Sequence, residues 1–197
     1  RERLAAALDC DPVEVVFTSG GTESINLALK GLFWSRQAAD ASRHAIVVAM
    51  GEHHATLDAA EWLEAHEGAA LRWPGLDASG SLLLDEWEDA LGGGAPAGAD
   101  VALATMLMAN NEVGTLQPIR EIACITRERG ILLHTDAAQS AGKLALDVDE
   151  LGHSLVHQGR ALVTAGVEVG AHRQLVLDDV EDLGDDEWQL RKQARRA

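Results

Sequence analysis

Four short stretches hold the residues that could do chemistry. In FTSGGTES (Phe17–Ser24) a strand-like run passes through Ser-Gly-Gly-Thr and opens a helix pattern. Glycines there let a ligand approach the backbone, and the amides and the Thr22 hydroxyl lie at a helix N-terminus, an arrangement that cradles phosphate. A plain N-cap with a Gly turn uses the same residues. GEHHATLD (Gly51–Asp58) sets His53 and His54 just past a second strand, where a ring can stack on an aromatic ligand or cap the next helix. MANNEVGTLQPI (Met108–Ile119) offers the amides of Asn110 and Asn111 after a third strand, in a composition that also suits an ordinary turn.

The fourth stretch is ILLHTDAAQSAGK (Ile131–Lys143), an apolar strand that ends on Asp136. Burying an unpaired carboxylate is costly, so a cation is expected opposite it. A carboxylate beside a ring nitrogen favours the protonated ring. A protonated pyridine is what makes pyridoxal phosphate an electron sink, and Gln139 could bond the phenolic oxygen of the same ring. A metallohydrolase built from His53, His54, His134 and Asp136 is a competing reading, but the order and spacing of zinc motifs is absent.

These stretches must be held by a scaffold, and its elements can be read from periodicity. Strands are predicted at Val13–Thr18, His44–Met50, Ala70–Trp73, Val101–Met106 and Ile131–Thr135. Helices are predicted at Glu23–Arg36, from about Thr56 to His66, at Leu83–Leu91 and at Pro118–Arg129, the last closed by Gly130. Alternation of this kind implies an α/β fold, a mostly parallel sheet with helices on both faces, and ligands at the carboxyl ends of its strands. GGGAPAGAD (Gly92–Asp100) reads as a linker, since the Walker Lys-Ser/Thr ending is missing. Past about residue 152 the character changes. ALVTAGVEVGAHRQLVLDD could form one or two strands, an acidic run and a basic end follow, and Asp178–Ala197 is expected to be poorly ordered.

The 197 residues carry a net charge of −16, which argues against nucleic acid. No apolar run approaches a membrane span, and a cytoplasmic protein is expected. Cys10 and Cys124 stand without a CxxC or a Cys/His cluster, which suits small buried side chains in a reducing compartment. The opening RERLAAALDC begins inside a helix pattern without an initiator Met, so the chain reads as cut from something longer.

Taken in order, VVFTSGGTESINLALKG, GEHHATLDAAEWLE, NNEVGTLQPIREI and ILLHTDAAQSAGKLALDV resemble the cysteine desulfurases of the class V aminotransferase superfamily. The likeness is strongest to the branch serving iron–sulfur clusters and transfer-RNA thiolation. It covers roughly residues 1–150 and implies an incomplete aspartate-aminotransferase-like large domain, with a divergent tail over 151–197. It implies pyridoxal 5'-phosphate as cofactor, with Gly21 and Thr22 on its phosphate and His53 stacked over its ring. Asn111 would contact cofactor or substrate, Asp136 would pair with the pyridinium nitrogen, and Gln139 would bond the phenolic oxygen. L-cysteine would be the substrate, the full-length protein a homodimer, and a sulfur-acceptor protein a possible partner.

The sequence departs from that pattern in its covalent machinery. The family's Schiff-base lysine lies in a Ser-x-His-Lys segment, and neither Lys30, Lys143 nor Lys192 has that context. The nearest remnant is SLVHQG (Ser154–Gly159), with Gln158 where a lysine would stand. The sulfur-accepting cysteine loop and the arginine for the substrate carboxylate are also missing. A truncated or frameshifted product without catalytic residues is expected, inactive alone. A non-catalytic binding or dimerisation remnant is the alternative.

Overall fold

The computed structural model describes residues 1–8, 10–92, 98–141, 143–144, 154–158 and 161–164. The middle of the glycine-rich linker and the acidic and basic tail lie outside the described residues.

After helix α1 (Glu2–Leu8) and a single 3-10 turn at Pro12–Glu14, the chain alternates strands and helices. The order is β1 (Val15–Phe17), α2 (Gly21–Ala39), β2 (Ala45–Val48), α3 (His54–Glu67), β3 (Ala70–Arg72), α4 (Leu84–Ala90) and β4 (Val101–Leu107). Next come α5 (Ile119–Glu128), β5 (Leu132–Asp136), β6 (Ser154–Gln158) and β7 (Ala161–Thr164). Each predicted strand and helix up to Asp136 is present, with ends displaced by a few residues. Pro12 trims the first strand, because a proline at the head of a turn starts helical geometry that the pleat cannot continue. Gly68 closes α3 in the left-handed region at φ 73°, which a side chain would strain.

All seven strands form one sheet in the order β1-β7-β6-β5-β4-β2-β3. β3, β2, β4, β5 and β6 are parallel neighbours. β7 runs against both β6 and β1, so β1 points the same way as the parallel set. The sheet is therefore mostly parallel.

Every residue of β2 and β4 is buried, as strands covered on both faces must be. On one face Ile25, Leu29 and Leu32 of α2 and Leu63 of α3 pack on Ile46, Val48 and Leu103. On the other, Trp87 of α4 and Ile122 and Ala123 of α5 pack on Val47, Ala104, Met106 and Leu133. Full burial of such side chains contributes roughly 1.5–3 kcal/mol each. This layering holds the ends of β2, β4 and β5 side by side, with the end of β1 at the same edge of the sheet beyond β6 and β7, and all four chemical stretches emerge there.

Candidate functional site

The turn after β1 is fixed by its own side chains. Thr18 Oγ1 shares a 2.6 Å hydrogen bond with Ser24 Oγ and donates to the Gly20 carbonyl at 3.1 Å. The Ser19 amide donates to the Glu23 carboxylate. Helical bonding begins at Gly20, whose carbonyl accepts the Ser24 amide at 3.1 Å. The amides of Gly21, Thr22 and Glu23 are then the first-turn donors that a helix leaves over. Gly20 gives no side-chain cap, and nothing lies within 4 Å of where its Cβ would sit. A helix of 19 residues thus brings its positive end to open space.

His53 is the N-cap of α3, its Nδ1 accepting the Ala55 amide at 3.1 Å. That bond leaves the proton of the neutral ring on Nε2 and fixes the plane of the imidazole. The two asparagines after β4 divide their roles. Asn110 Oδ1 accepts the amides of Glu112 and Val113 at 2.9 Å each, and its Nδ2 donates to the Gly51 carbonyl at 3.2 Å. Asn110 therefore builds the loop, which leaves Asn111 to face the site. At the end of β5, Asp136 is 8% exposed, and its Oδ1 accepts the Ala138 amide at 2.8 Å.

One cavity of about 290 Å³ is lined by Gly21, Thr22, Ile25, His53, Leu107, Ala109, Asn111, Asp136, Ala138 and Gln139. All six residues expected to hold a cofactor face this space, although more than a hundred positions separate Thr22 from Asp136. Its volume is close to the lower end of the usual range for small-molecule sites, about 300–1,000 Å³. The lining thus combines residues at the head of α2 with a buried carboxylate, an imidazole and two carboxamides.

The set required for a metallohydrolase is not brought together. His54 does not line the cavity and sits edge-on to His53, their ring centroids 6.5 Å apart. His134 is fully buried behind the cavity. Among the described residues no group of three or more His, Cys, Asp or Glu is placed to hold a metal ion. Neither described lysine lines the cavity: Lys30 Nζ lies 4.0 Å from the Trp62 ring centroid, and Lys143 is exposed. Of the two cysteines, Cys124 is exposed rather than buried, since its side of α5 faces solvent.

Two residues at the site were not singled out by sequence reasoning. Glu52 is 7% exposed, and its Oε1 accepts a hydrogen bond from Thr105 Oγ1 at 2.9 Å. Burial, aided by the negative charge of Asp136, pushes the Glu52 carboxyl up to about 8, although Thr105, Thr56 and the His53 amide oppose the rise. Glu52 Oε2 and the Thr56 hydroxyl are both buried without a hydrogen bond of regular geometry, yet Thr56 still acts on the ionisation. Thr105 is hidden in an apolar run and reads only as a β-branched strand former. The available signal was a carboxylate three residues past the buried run AIVVA (Ala45–Ala49).

Comparison with known proteins agrees with this architecture. The pattern of the aminotransferase class-V family matches residues 1–159. An IscS-like cysteine desulfurase of Mycobacterium tuberculosis is 45% identical over 154 residues, which are 78% of this chain and 38% of that protein. The structure of SspA in complex with cysteine superposes at TM-score 0.71 and 32% identity, over 83% of this chain and 47% of the other. A NifS-like protein superposes at TM-score 0.73 and 26% identity, over 87% and 49%. The chain spans less than half the length of each of these relatives. No helix among the described residues is long and apolar enough to cross a membrane. The family match takes in the whole series of strands and helices around the cavity, and the chain belongs to the aminotransferase class-V family.

Proposed function

We propose that this chain is the cofactor-binding portion of a pyridoxal-phosphate-dependent cysteine desulfurase. In the whole protein, L-cysteine and an enzyme thiol give L-alanine and an enzyme persulfide, which feeds iron–sulfur cluster assembly or thiolation. The observation that carries this reading is the single cavity shared by Gly21, Thr22, His53, Asn111, Asp136 and Gln139. When bound, pyridoxal 5'-phosphate supplies a protonated ring that withdraws electrons from the substrate.

The residues present fit that group. The amides at the head of α2 and the Thr22 hydroxyl suit a phosphate dianion, since unpaired donors and partial positive charge coincide there. Asp136, buried and already oriented by the Ala138 amide, suits a cationic ring nitrogen. The capped ring of His53 suits a stacking surface, and the carboxamides of Gln139 and Asn111 suit the ring's oxygen and the substrate. With no lysine lining the cavity among the described residues, the chain on its own is expected to be inactive. A homodimer, a sulfur-acceptor protein and a cytoplasmic location belong to the same reading.

Binding of pyridoxine 5'-phosphate tests it, because that analogue cannot link to an amine. Titration followed by tryptophan fluorescence or calorimetry should give saturable one-to-one binding. Asp136→Asn should weaken it roughly 10- to 100-fold, as expected for a lost charge-assisted hydrogen bond of about 1.5–3 kcal/mol. Absence of saturable binding, or equal affinity in the variant, would overturn the assignment.

A further inference from the structure

Behind the cavity, three side chains from three segments meet out of contact with solvent. Thr105 and His134 are partners across the β4–β5 ladder and are both 0% exposed. Thr105 Oγ1 lies 2.9 Å from His134 Nδ1 and 2.9 Å from Glu52 Oε1. A hydroxyl has one proton, so Thr105 can donate to only one of these neighbours and must accept from the other.

Two arrangements satisfy both contacts of the Thr105 hydroxyl. With Glu52 ionised, Thr105 donates to Oε1 and accepts from His134 Nδ1–H. With Glu52 neutral and its proton on Oε1, that proton points at Thr105. Thr105 then donates to His134 Nδ1, and the neutral ring holds its proton on Nε2. We propose that Glu52, Thr105 and His134 form a buried proton chain in which Glu52, a positioning residue, selects the protonated nitrogen of His134 and, when neutral, leaves the cavity's negative charge on Asp136.

The second half follows from the pleat. His134 and Asp136 are two residues apart on β5 and share a face, so the chain ends beside the carboxylate that lines the cavity. The negative charge of Asp136 adds to the burial that raises the Glu52 carboxyl. The ionisable groups nearest along the packed segments are His134 and Asp136 of β5, His157 opposite Asp136 on β6, and His53 and His54 at the head of α3, while β2 and β4 contribute none. A neutral Glu52 places no second negative charge beside the Asp136 carboxylate. Only this last step, toward a pyridinium, rests on the cofactor reading above.

The test uses the full chain with 15N-labelled histidine, following the His134 ring nitrogens from pH 6.5 to 9.5 and assigning them with His134→Gln. The wild type should exchange the roles of the two nitrogens with a midpoint near 8, where Glu52 titrates. Thr105→Ser should retain the exchange, while Thr105→Val and Glu52→Gln should hold one tautomer throughout. A single tautomer in the wild type, or an exchange that persists in Glu52→Gln or Thr105→Val, would overturn the chain. If Thr105→Val does not fold, the other two variants decide. Pyridoxine 5'-phosphate affinity measured in parallel separates the two ideas. Exchange without binding sinks only the cofactor reading, and binding without exchange sinks only the proton chain.

Discussion

Replacing Glu52 by glutamine should make the molecule less sensitive to pH, and the structure sets the size of the effect. Glu52 is fully enclosed, and its carboxyl is raised from an ordinary 4.5 to about 8. Folding therefore takes up a proton between those limits. The resulting stabilisation is fully present below about 4.5 and is lost as pH rises through about 8. At ~1.4 kcal/mol per pH unit, the whole interval comes to about 5 kcal/mol, and the span from pH 5 to pH 8 to roughly 4. For a chain of this length that is on the order of 8–16 °C in Tm. The carboxamide of the Glu52→Gln variant is neutral at every pH, and its oxygen can accept the Thr105 hydroxyl as Oε1 does. The difference between variant and wild type removes contributions common to both. Near pH 5 the two should unfold within ~1 kcal/mol of each other, and by pH 8.5 the variant should be the more stable by several kcal/mol. Urea unfolding at intervals from pH 5 to 9 measures this directly. Parallel stability profiles would refute the reasoning, because they would mean that Glu52 titrates alike in folded and unfolded chains.

Thr18→Val strands the buried Ser24 hydroxyl and should cost about 1–3 kcal/mol in thermal or urea unfolding, part of which Thr18→Val with Ser24→Ala should recover. Thr22→Val should weaken both pyridoxine 5'-phosphate and inorganic phosphate by a similar factor in calorimetry, since both would use the same end of α2. Borohydride treatment with pyridoxal phosphate, followed by peptide mapping, should show no stoichiometric label at Lys30 or Lys143. Alanine formation from L-cysteine should be undetectable for the chain alone.

Most of the scaffold was legible because its signals are local. The period of α2 shows at Ile25, Leu29 and Leu32, and the apolar runs of β2 and β4 are long enough to be strands buried on both sides. The cofactor candidates stood out as an ordered set, since Gly-Gly-Thr and the paired Asn each suit an ordinary turn and gain meaning only in sequence with the paired His and the strand-ending Asp. Sheet order could not be read in this way. Nothing within Ser154–Gln158 states that it lies beside β5, or that Ala161–Thr164 turns back to meet Val15, because strand neighbours are chosen by tertiary packing. The Glu52 chain was hidden for a related reason. Glu52 looks like a helix-start residue and Thr105 like a strand former until the fold sets them 2.9 Å apart.

The single antiparallel strand also orders events in time. Among the described residues β1 has one ladder partner, β7, almost 150 positions later in the chain. During synthesis β2 to β5 can assemble from near neighbours while the segment before α2 waits with an open hydrogen-bonding edge. Pairings this distant are slow to close, and unmatched edges invite association with other chains. The anion-facing end of the cavity would thus be the last to gain its sheet support. A nascent chain lacking the hairpin of β6 and β7 would hold Asp136 in place before the loop at Thr18 to Gly21 was anchored.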